Sequence, residues 1–167
     1  MKIGILGGSF DPAHKGHLAI SKEAKKRFKL EKIIWAVTKK NPLKAESKTP
    51  ISKKIKDCKK IIGMNSFINV KFYENIIKSN KTIDLINYIK KNKNIEIFFL
   101  MGADNLISFH RWHKSELISQ KCNIIVFDRH GYKKNSLKSK TFKRLNNKTL
   151  TFVKLSLIHI SEPTRPY

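Results

Sequence analysis

Two histidines near the N-terminus have the residue type and spacing that phosphate chemistry needs. His14 and His17 stand three residues apart in the run Gly-Gly-Ser-Phe-Asp-Pro-Ala-His-Lys-Gly-His, which covers residues 7–17. The glycine pair Gly7 and Gly8 is expected to let the backbone turn sharply and approach a ligand closely. The histidines fall at or just before a predicted helix N-terminus, where free N–H groups and the helix dipole favour an anion. Two imidazoles at that point can donate hydrogen bonds to phosphate oxygens and stabilise charge in a transition state.

This run differs from the common phosphate loops, and the sequence offers little competing chemistry. It contains neither a GxGxxG dinucleotide fingerprint nor a GxxxxGK[ST] phosphate loop. Cys58 and Cys122 are far apart and lack CxxC spacing, which argues against a disulfide framework and against a cysteine zinc site. Asp11 is interpreted as a turn-former and not as a catalyst.

The composition indicates one globular domain. The chain has 167 residues, of which 40% are hydrophobic, so it is long enough to bury one core. No stretch approaches the roughly 20 apolar residues that cross a bilayer, and the N-terminus lacks a signal-peptide pattern. We therefore predict a cytoplasmic location and no membrane partner.

The strong positive charge has two competing explanations. The formal net charge of +24 suggests nucleic-acid binding. However, 31 of the 36 basic residues are lysines, whereas base recognition and bidentate phosphate contacts favour arginine. Lysine, isoleucine and asparagine dominate the composition, as is typical of an A/T-rich genome, and the lysines are spread along the chain. We therefore interpret most lysines as solvated helix faces and do not expect nucleic acid as a partner, although the field could attract a phosphorylated metabolite.

Apolar periodicity predicts strands that alternate with helices. Strands are predicted over residues 2–6, 32–37, 67–72, 95–101, 123–128 and 149–155. Helices are predicted over residues 16–28, from Pro50, from Thr82 and in short pieces through 104–119. This alternation predicts an α/β fold with a Rossmann-like, doubly wound parallel sheet. Ligands of such sheets bind at the carboxyl ends of the strands, so chemistry is expected in residues 7–17, 38–44, 102–113 and 129–131. Residues 132–148 are predicted to form a polar, basic insertion.

Several segments together resemble one enzyme family. Residues 7–17 resemble the GGSFDPxHxGH signature of the HIGH-type nucleotidylyltransferases. Residues 41–44 (Asn-Pro-Leu-Lys) resemble the NPxK loop of bacterial nicotinate-nucleotide adenylyltransferases, and residues 82–84 (Thr-Ile-Asp) resemble the end of their SYTxDT segment. Residues 101–113 resemble their GxDxL…F..W motif. Order and spacing agree over roughly residues 1–131, and the combination is specific although each later motif alone is weak.

The resemblance implies a single nucleotidylyltransferase domain over residues 1–155 and a defined reaction. Nicotinate mononucleotide and ATP would give nicotinate adenine dinucleotide and pyrophosphate, in NAD biosynthesis. The 5′-phosphate of the mononucleotide would attack the ATP α-phosphorus directly, so no enzyme nucleophile is needed. Mg²⁺ is the expected cofactor and would sit on the ATP phosphates. A homo-oligomer is left open.

The family pattern also implies which positions contact the nucleotide. His14 and His17 would contact the ATP phosphates and stabilise the transition state, and Lys44 would add positive charge there. The other implied ATP-binding positions are Gly7, Gly8, Ser9, Phe10, Gly16, Gly102, Asp104 and Arg129. Asp104 would bind ribose hydroxyls or the adenosine side, with a helix N-cap as the structural alternative. No protein side chain is expected to bind metal.

The pyridine end of the substrate is implied to lie near a threonine and an aromatic loop. Thr82 and the backbone near Trp112 and His113 would read the nicotinate carboxylate. Trp112 would stack on the pyridine ring, and the alternative for Trp112 is a core aromatic.

The sequence departs from the family pattern at two internal places. The SYTxDT segment reads Asn-Lys-Thr-Ile-Asp-Leu over residues 80–85, so its Ser, Tyr and final Thr are missing. The family arginine in the helix after the NPxK loop is also missing, and the nearest cations are Lys53, Lys54 and Lys56. Lysine lacks the bidentate fork of arginine.

The end of the chain departs more strongly. Where the family has an ISSTxxR-like motif, residues 160–167 read Ile-Ser-Glu-Pro-Thr-Arg-Pro-Tyr. Glu162 would place a negative charge where phosphate should sit. Residues 156–167 also differ in composition from the Lys- and Asn-rich body and resemble a translated sequencing adapter. We therefore expect an atypical, non-native tail that weakens ATP binding.

Three alternatives stay open on the sequence alone. One is a sibling enzyme that uses nicotinamide mononucleotide or phosphopantetheine, or a cytidylyltransferase. Another is a basic nucleic-acid-binding domain, which would show a steep salt dependence and would tolerate His17→Ala. The third is a folded but inactive remnant.

Overall fold

The computed structural model describes residues 1–39, 48–92, 94–128 and 150–154. Lys44, Arg129, the 132–148 insertion and the tail from residue 156 lie outside the described residues. Within the described part, no helix is long and apolar enough to cross a membrane.

A parallel sheet forms the centre of the molecule. Its strands are β1 (Lys2–Gly8), β2 (Lys32–Val37), β3 (Ile68–Lys71), β4 (Glu96–Gly102), β5 (Asn123–Asp128) and β6 (Leu150–Lys154). They are ordered β3-β2-β1-β4-β5-β6, and every neighbouring pair is parallel. The predicted Rossmann-like fold is therefore confirmed. The strand order reverses at β1 and β4, and this switch point is where doubly wound sheets bind ligands.

Six described helices connect the strands. They are α1 (Lys15–Phe28), α2 (Ile51–Ile62), α3 (Glu74–Ile77), α4 (Thr82–Ile89), α5 (Ala103–Phe109) and α6 (Ser115–Lys121). All except α3 were predicted. The α3 helix has four residues, none of them buried, so it carries no readable apolar period.

The sheet buries apolar side chains on both faces, which is why its strands are continuous apolar runs. Ile5 belongs to the core cluster on one face, and the next residue, Leu6, belongs to the cluster on the other. Gly4 permits close packing beside them, because a Cβ there would lie 2.9 Å from Leu30 Cδ1 and 3.1 Å from Ile33 Cγ1.

The predicted end of the first strand was wrong. Gly7 and Gly8 do not turn the chain but continue β1, where they pair with Ala36 and Val37 of β2. The left-handed backbone conformation occurs two residues later, at Phe10, with a φ of 48°. The ladder hydrogen bonds keep the glycines extended, and the turn begins only after pairing ends.

Candidate active site

A cleft lies at the switch point, above the carboxyl ends of β1, β2 and β4. Its volume is about 330 Å³. Its described lining consists of Gly7, Gly8, Ser9, Phe10, Asp11, Pro12, His14, His17, Thr38, Asn80, Thr82, Phe99, Asn105 and Trp112. The structure therefore brings together the histidine run, Thr82 and Trp112, which are far apart in sequence.

The two histidines cap the helix that carries them. His14 is the N-cap of α1, and its Nδ1 accepts a hydrogen bond from the Gly16 N–H at 3.1 Å. His17 reaches back, so that its Nδ1 accepts from the His14 N–H at 3.1 Å. This is a capping box built from imidazoles instead of the usual hydroxyl and carboxylate.

The cap also determines which ring nitrogens can donate. A neutral imidazole that accepts at Nδ1 carries its proton on Nε2. Both His14 and His17 are thus held as Nε2–H donors at a helix N-terminus, where the local dipole favours an anion. This arrangement can hold phosphate oxygens without any rearrangement of the backbone.

Aromatic rings of the core pack against the histidine pair. The imidazole centroids of His14 and His17 are 3.9 Å apart, and the buried Phe10 ring lies 4.6 Å from His17. Phe10 in turn stacks on Trp35 of β2 at 5.2 Å, with an interplanar angle of 17°. The left-handed turn at Phe10 therefore points this ring inward as a platform for His17.

The other end of the cleft has an aromatic wall and uncharged polar groups. Trp112 is half-buried, and its ring lies 5.9 Å from Phe99 and 5.0 Å from Phe109. Thr82 begins α4 and faces the same space. Trp112 therefore packs against core aromatics and also lines the cleft, and its stacking on a pyridine ring stays a prediction.

A smaller apolar cavity of about 40 Å³ adjoins the cleft. Its apolar lining includes Tyr73, Ile77 and Leu85, and it shares Thr38 and Thr82 with the cleft. The Thr38 hydroxyl is buried and has no hydrogen-bond partner among the described residues. It is therefore a candidate contact for a ligand or a bound water.

Four predicted nucleotide or substrate positions do not line this cleft within the described residues. Gly16 is buried inside α1, where it serves the His14 cap. Gly102 is buried, and a Cβ there would lie 2.5 Å from Asp104 Oδ1. Asp104 and His113 are exposed. Asp104 is also not a helix N-cap, because Gly102 occupies that position and Asp104 lies in the first turn of α5, favourable for the helix dipole.

The structure adds cleft residues that the sequence reasoning had not singled out. Thr38 follows β2 directly, and Asn105 lies in the first turn of α5. Both fall in the strand-end segments named from the sequence, so the signal was present but residue types gave no reason to select them. Asn80 stands where the family pattern has serine, and Asp11, placed in a turn as predicted, also lines the cleft.

Among the three candidate lysines of α2, only Lys54 is buried. Its side chain is 1% exposed, and its Nζ donates to the Thr38 carbonyl at 3.2 Å. Glu74 approaches the same strand end, where its Oε1 accepts from the Lys39 N–H at 3.0 Å. Burial raises the pKa of the Glu74 carboxyl, while the Lys39 N–H and the Lys54 charge lower it. These groups fix the backbone at the exit of β2.

Neither cysteine is suited to act as a nucleophile. Burial raises the pKa of Cys58 to about 12 and that of Cys122 to about 12. We expect neither thiol to react with a disulfide reagent in the folded protein at about pH 8, because the thiolate form is suppressed and the sulfurs are inaccessible. Both should react once the chain is unfolded in denaturant, which serves as the control. Rapid labelling of the folded protein would contradict this.

Comparisons with known proteins agree with the fold. The cytidylyltransferase-like family matches residues 5–163. The chain is similar to a protein of Pelagibacter ubique named probable nicotinate-nucleotide adenylyltransferase, with 61% identity over 160 residues, 96% of this chain and 89% of that protein. A protein of the same name from Bradyrhizobium sp. (strain ORS 278) is 37% identical over 130 residues, 77% of this chain and 68% of that protein.

Solved structures resemble the fold. The Plasmodium falciparum nicotinic acid mononucleotide adenylyltransferase complexed with NaAD superposes with a TM-score of 0.75 at 21% identity, over 95% of this chain and 78% of that one. The same enzyme complexed with APC gives a TM-score of 0.73.

The parallel sheet with a histidine-capped helix at its switch point defines a nucleotidyltransferase of the cytidylyltransferase-like type. The level of identity to the curated relatives narrows this class further. The chain belongs to the nicotinate-nucleotide adenylyltransferase family.

Proposed function

We propose that this protein transfers the adenylyl group of ATP to nicotinate mononucleotide, which gives nicotinate adenine dinucleotide and pyrophosphate. The observation that carries the proposal is the imidazole capping box, which places two Nε2–H donors at a helix N-terminus beside the cleft. The names of the curated relatives and of the solved structures support the choice of substrates.

The chemistry requires positioning more than it requires a reactive group. A phosphate oxygen of the mononucleotide forms a bond to the ATP α-phosphorus, and the bond from that phosphorus to the bridging oxygen breaks. Pyrophosphate leaves with the electron pair. His14 and His17 would donate to the phosphate oxygens on which charge accumulates, which is where preorganised donors accelerate a reaction most. Because Gly7 and Gly8 have no side chains, they would leave room for the phosphates beside β1.

The pyridine nucleotide would occupy the aromatic end of the cleft. Trp112 would stack on the pyridine ring, braced from behind by Phe99 and Phe109. Thr82, with the backbone near Trp112 and His113, would hold the carboxylate.

Mg²⁺ would arrive with ATP. The described residues contain no cluster of three or more His, Cys, Asp or Glu side chains that could hold a metal ion by themselves. Phosphate oxygens are hard ligands that Mg²⁺ prefers, so the cation would neutralise charge on the triphosphate. Lys44 and Arg129 remain proposed nucleotide contacts, and Asp104 remains a proposed contact on the adenosine side.

The decisive test is pyrophosphate release by the purified protein with ATP and Mg²⁺. Nicotinate mononucleotide, nicotinamide mononucleotide and phosphopantetheine would be offered separately. Release with nicotinate mononucleotide alone is expected, whereas preferential use of another acceptor would overturn the substrate assignment. If no acceptor gives release, the assay would be repeated with residues 156–167 replaced by an ISSTxxR-type segment. Absence of pyrophosphate release from that protein as well would refute the proposed function.

Replacing Trp112 by alanine should weaken binding of the pyridine nucleotide more than binding of ATP. Loss of one stacking contact should raise the KM for nicotinate mononucleotide roughly ten-fold and leave the KM for ATP within about two-fold. Trp112→Phe retains a ring and serves as the matched control, with a smaller rise. Equal rises in both KM values would mean that Trp112 acts only through packing.

A further inference from the structure

A buried polar relay joins the second strand to the first turn of the histidine helix. The indole of Trp35, on β2, is fully buried, and its Nε1–H donates to Ser21 Oγ at 2.8 Å. Ser21, on α1, is also fully buried, and its hydroxyl donates to the His17 carbonyl at 2.8 Å. Because the hydroxyl accepts from Trp35 and donates to His17, both of its hydrogen-bonding roles are assigned and its orientation is fixed.

Trp35 also supports His17 through a second route. Its ring stacks on Phe10, which contacts the His17 imidazole, and the centroids of His17 and Trp35 are 5.8 Å apart. Trp35 therefore supports His17 in two ways. The Ser21 relay fixes the backbone from which the imidazole projects, and the Phe10 platform limits the tilt of the ring.

We propose that Ser21 and Trp35 are positioning residues that hold the His17 imidazole in its reactive orientation. The inference rests on the proposed adenylyl transfer and names the device that makes its donors rigid. A hydrogen-bonded pair inside an apolar core adds little net stability, since replacing both partners by apolar groups of the same shape is close to neutral. Its benefit is geometric, because displacing a catalytic donor by about 1 Å can cost up to roughly 100-fold in rate.

The test is a double-mutant cycle of Ser21→Ala and Trp35→Phe, read for both turnover and thermal stability. Ser21→Ala leaves the indole N–H unpaired in the core, so its Tm should fall by several degrees. Trp35→Phe removes the indole N–H but leaves a smaller ring in the core, so Ser21→Ala should lower the Tm less in the Trp35→Phe background than in the parent protein. The kcat of the double variant should stay about ten-fold below that of the parent protein, with the KM for ATP within about two-fold. A double variant whose kcat equals that of the parent protein would reduce the relay to a structural element and overturn the proposal.

Ser119 offers a matched control. It is a buried serine on α6 whose hydroxyl donates to the Glu116 carbonyl at 2.7 Å, and it does not line the described cleft. Ser119→Ala removes the same kind of hydrogen bond, so kcat should stay within about two-fold of the parent value. A drop equal to that of the Ser21 variant would count against a specific role.

A spectroscopic readout separates this inference from the proposed function. Nitrogen NMR of the histidine side chains should show His17 of the parent protein as the Nε2–H tautomer, in agreement with its Nδ1 acceptor contact. In the double variant the His17 ring should tilt away from the His14 N–H, so that signal should shift toward a tautomer average. Identical spectra would refute the inference. Absence of pyrophosphate release, also after replacement of residues 156–167, would instead refute the proposed function, while the spectra would still decide the positioning role.

Discussion

Replacement of His17 by glutamate should lower kcat roughly 100- to 1000-fold and leave the fold intact, because it removes one preorganised donor to the phosphates. The choice of glutamate follows from the capping box. The His17 side chain accepts from the His14 N–H, and glutamate is one of the residues that ordinarily fill this third helical position. The variant therefore keeps the cap, because a carboxylate accepts hydrogen bonds, and it has no N–H with which to replace the imidazole donor.

His14 permits the same separation of roles. Aspartate is a good N-cap without an N–H donor, so His14→Asp should keep the hydrogen bond from Gly16 and again lose turnover. His14→Ala removes the cap as well, and it should lose about 1 kcal/mol of stability in addition to activity. Pyrophosphate release and thermal unfolding of the three variants measure both effects. Substantial turnover by His17→Glu or His14→Asp would mean that the histidines serve the helix and not the reaction.

The strands were predictable because a parallel sheet with two covered faces needs unbroken apolar runs. Residues 32–37 were predicted as a strand and form β2 with the same limits. The glycine pair was misjudged because residue type suggested a turn, whereas pairing with Ala36 and Val37 holds both glycines in the ladder. Phe10 adopts the left-handed backbone instead, where burial of its ring against Trp35 and His17 offsets the local cost.

The candidate site was only partly predictable, because motifs identify residue types and not side-chain directions. The order of motifs brought His14, Thr82 and Trp112 into one cleft as expected. That the imidazoles cap their own helix depends on ring rotamers, which no spacing reveals. Which lysine of α2 is buried depends on which side of the helix faces the sheet. Lys54 is buried, whereas Lys53, one residue earlier, points to solvent with its side chain 63% exposed.

Lys54 is a position at which we expect a large loss of stability. Lys54→Met keeps the length of the side chain but removes the donor to the Thr38 carbonyl and the positive charge that lowers the pKa of Glu74. The partly buried Thr38 carbonyl would then lose its donor, and the Glu74 carboxylate would lose the positive charge beside it. Removing one partner of a buried charge arrangement costs about 3 kcal/mol, which corresponds to roughly 6–12 °C in Tm for a chain of this size.

Two variants separate burial from charge in this prediction. Lys53→Met removes a cation from the same helix, where the exposed pair with Asp57 at 2.8 Å contributes little, so stability should change by less than about 0.5 kcal/mol. Lys54→Arg keeps the cation, so most of the stability should be retained. The nicotinate-nucleotide adenylyltransferase pattern has an arginine in this helix. Equal losses in Lys53→Met and Lys54→Met would contradict the assignment.

The pH dependence of the Lys54→Met loss follows from the raised pKa of Glu74. A carboxyl whose pKa is higher in the folded state than in the unfolded chain destabilises the fold above that folded pKa, and the penalty disappears as the pH falls below the unfolded value. Lys54→Met raises the folded pKa further and so enlarges the penalty at about pH 7.5. The stability gap between the parent protein and Lys54→Met should therefore narrow toward about pH 4, as measured by denaturant unfolding at both pH values. A constant gap would show that the lost hydrogen bond to Thr38, and not the charge beside Glu74, accounts for the effect.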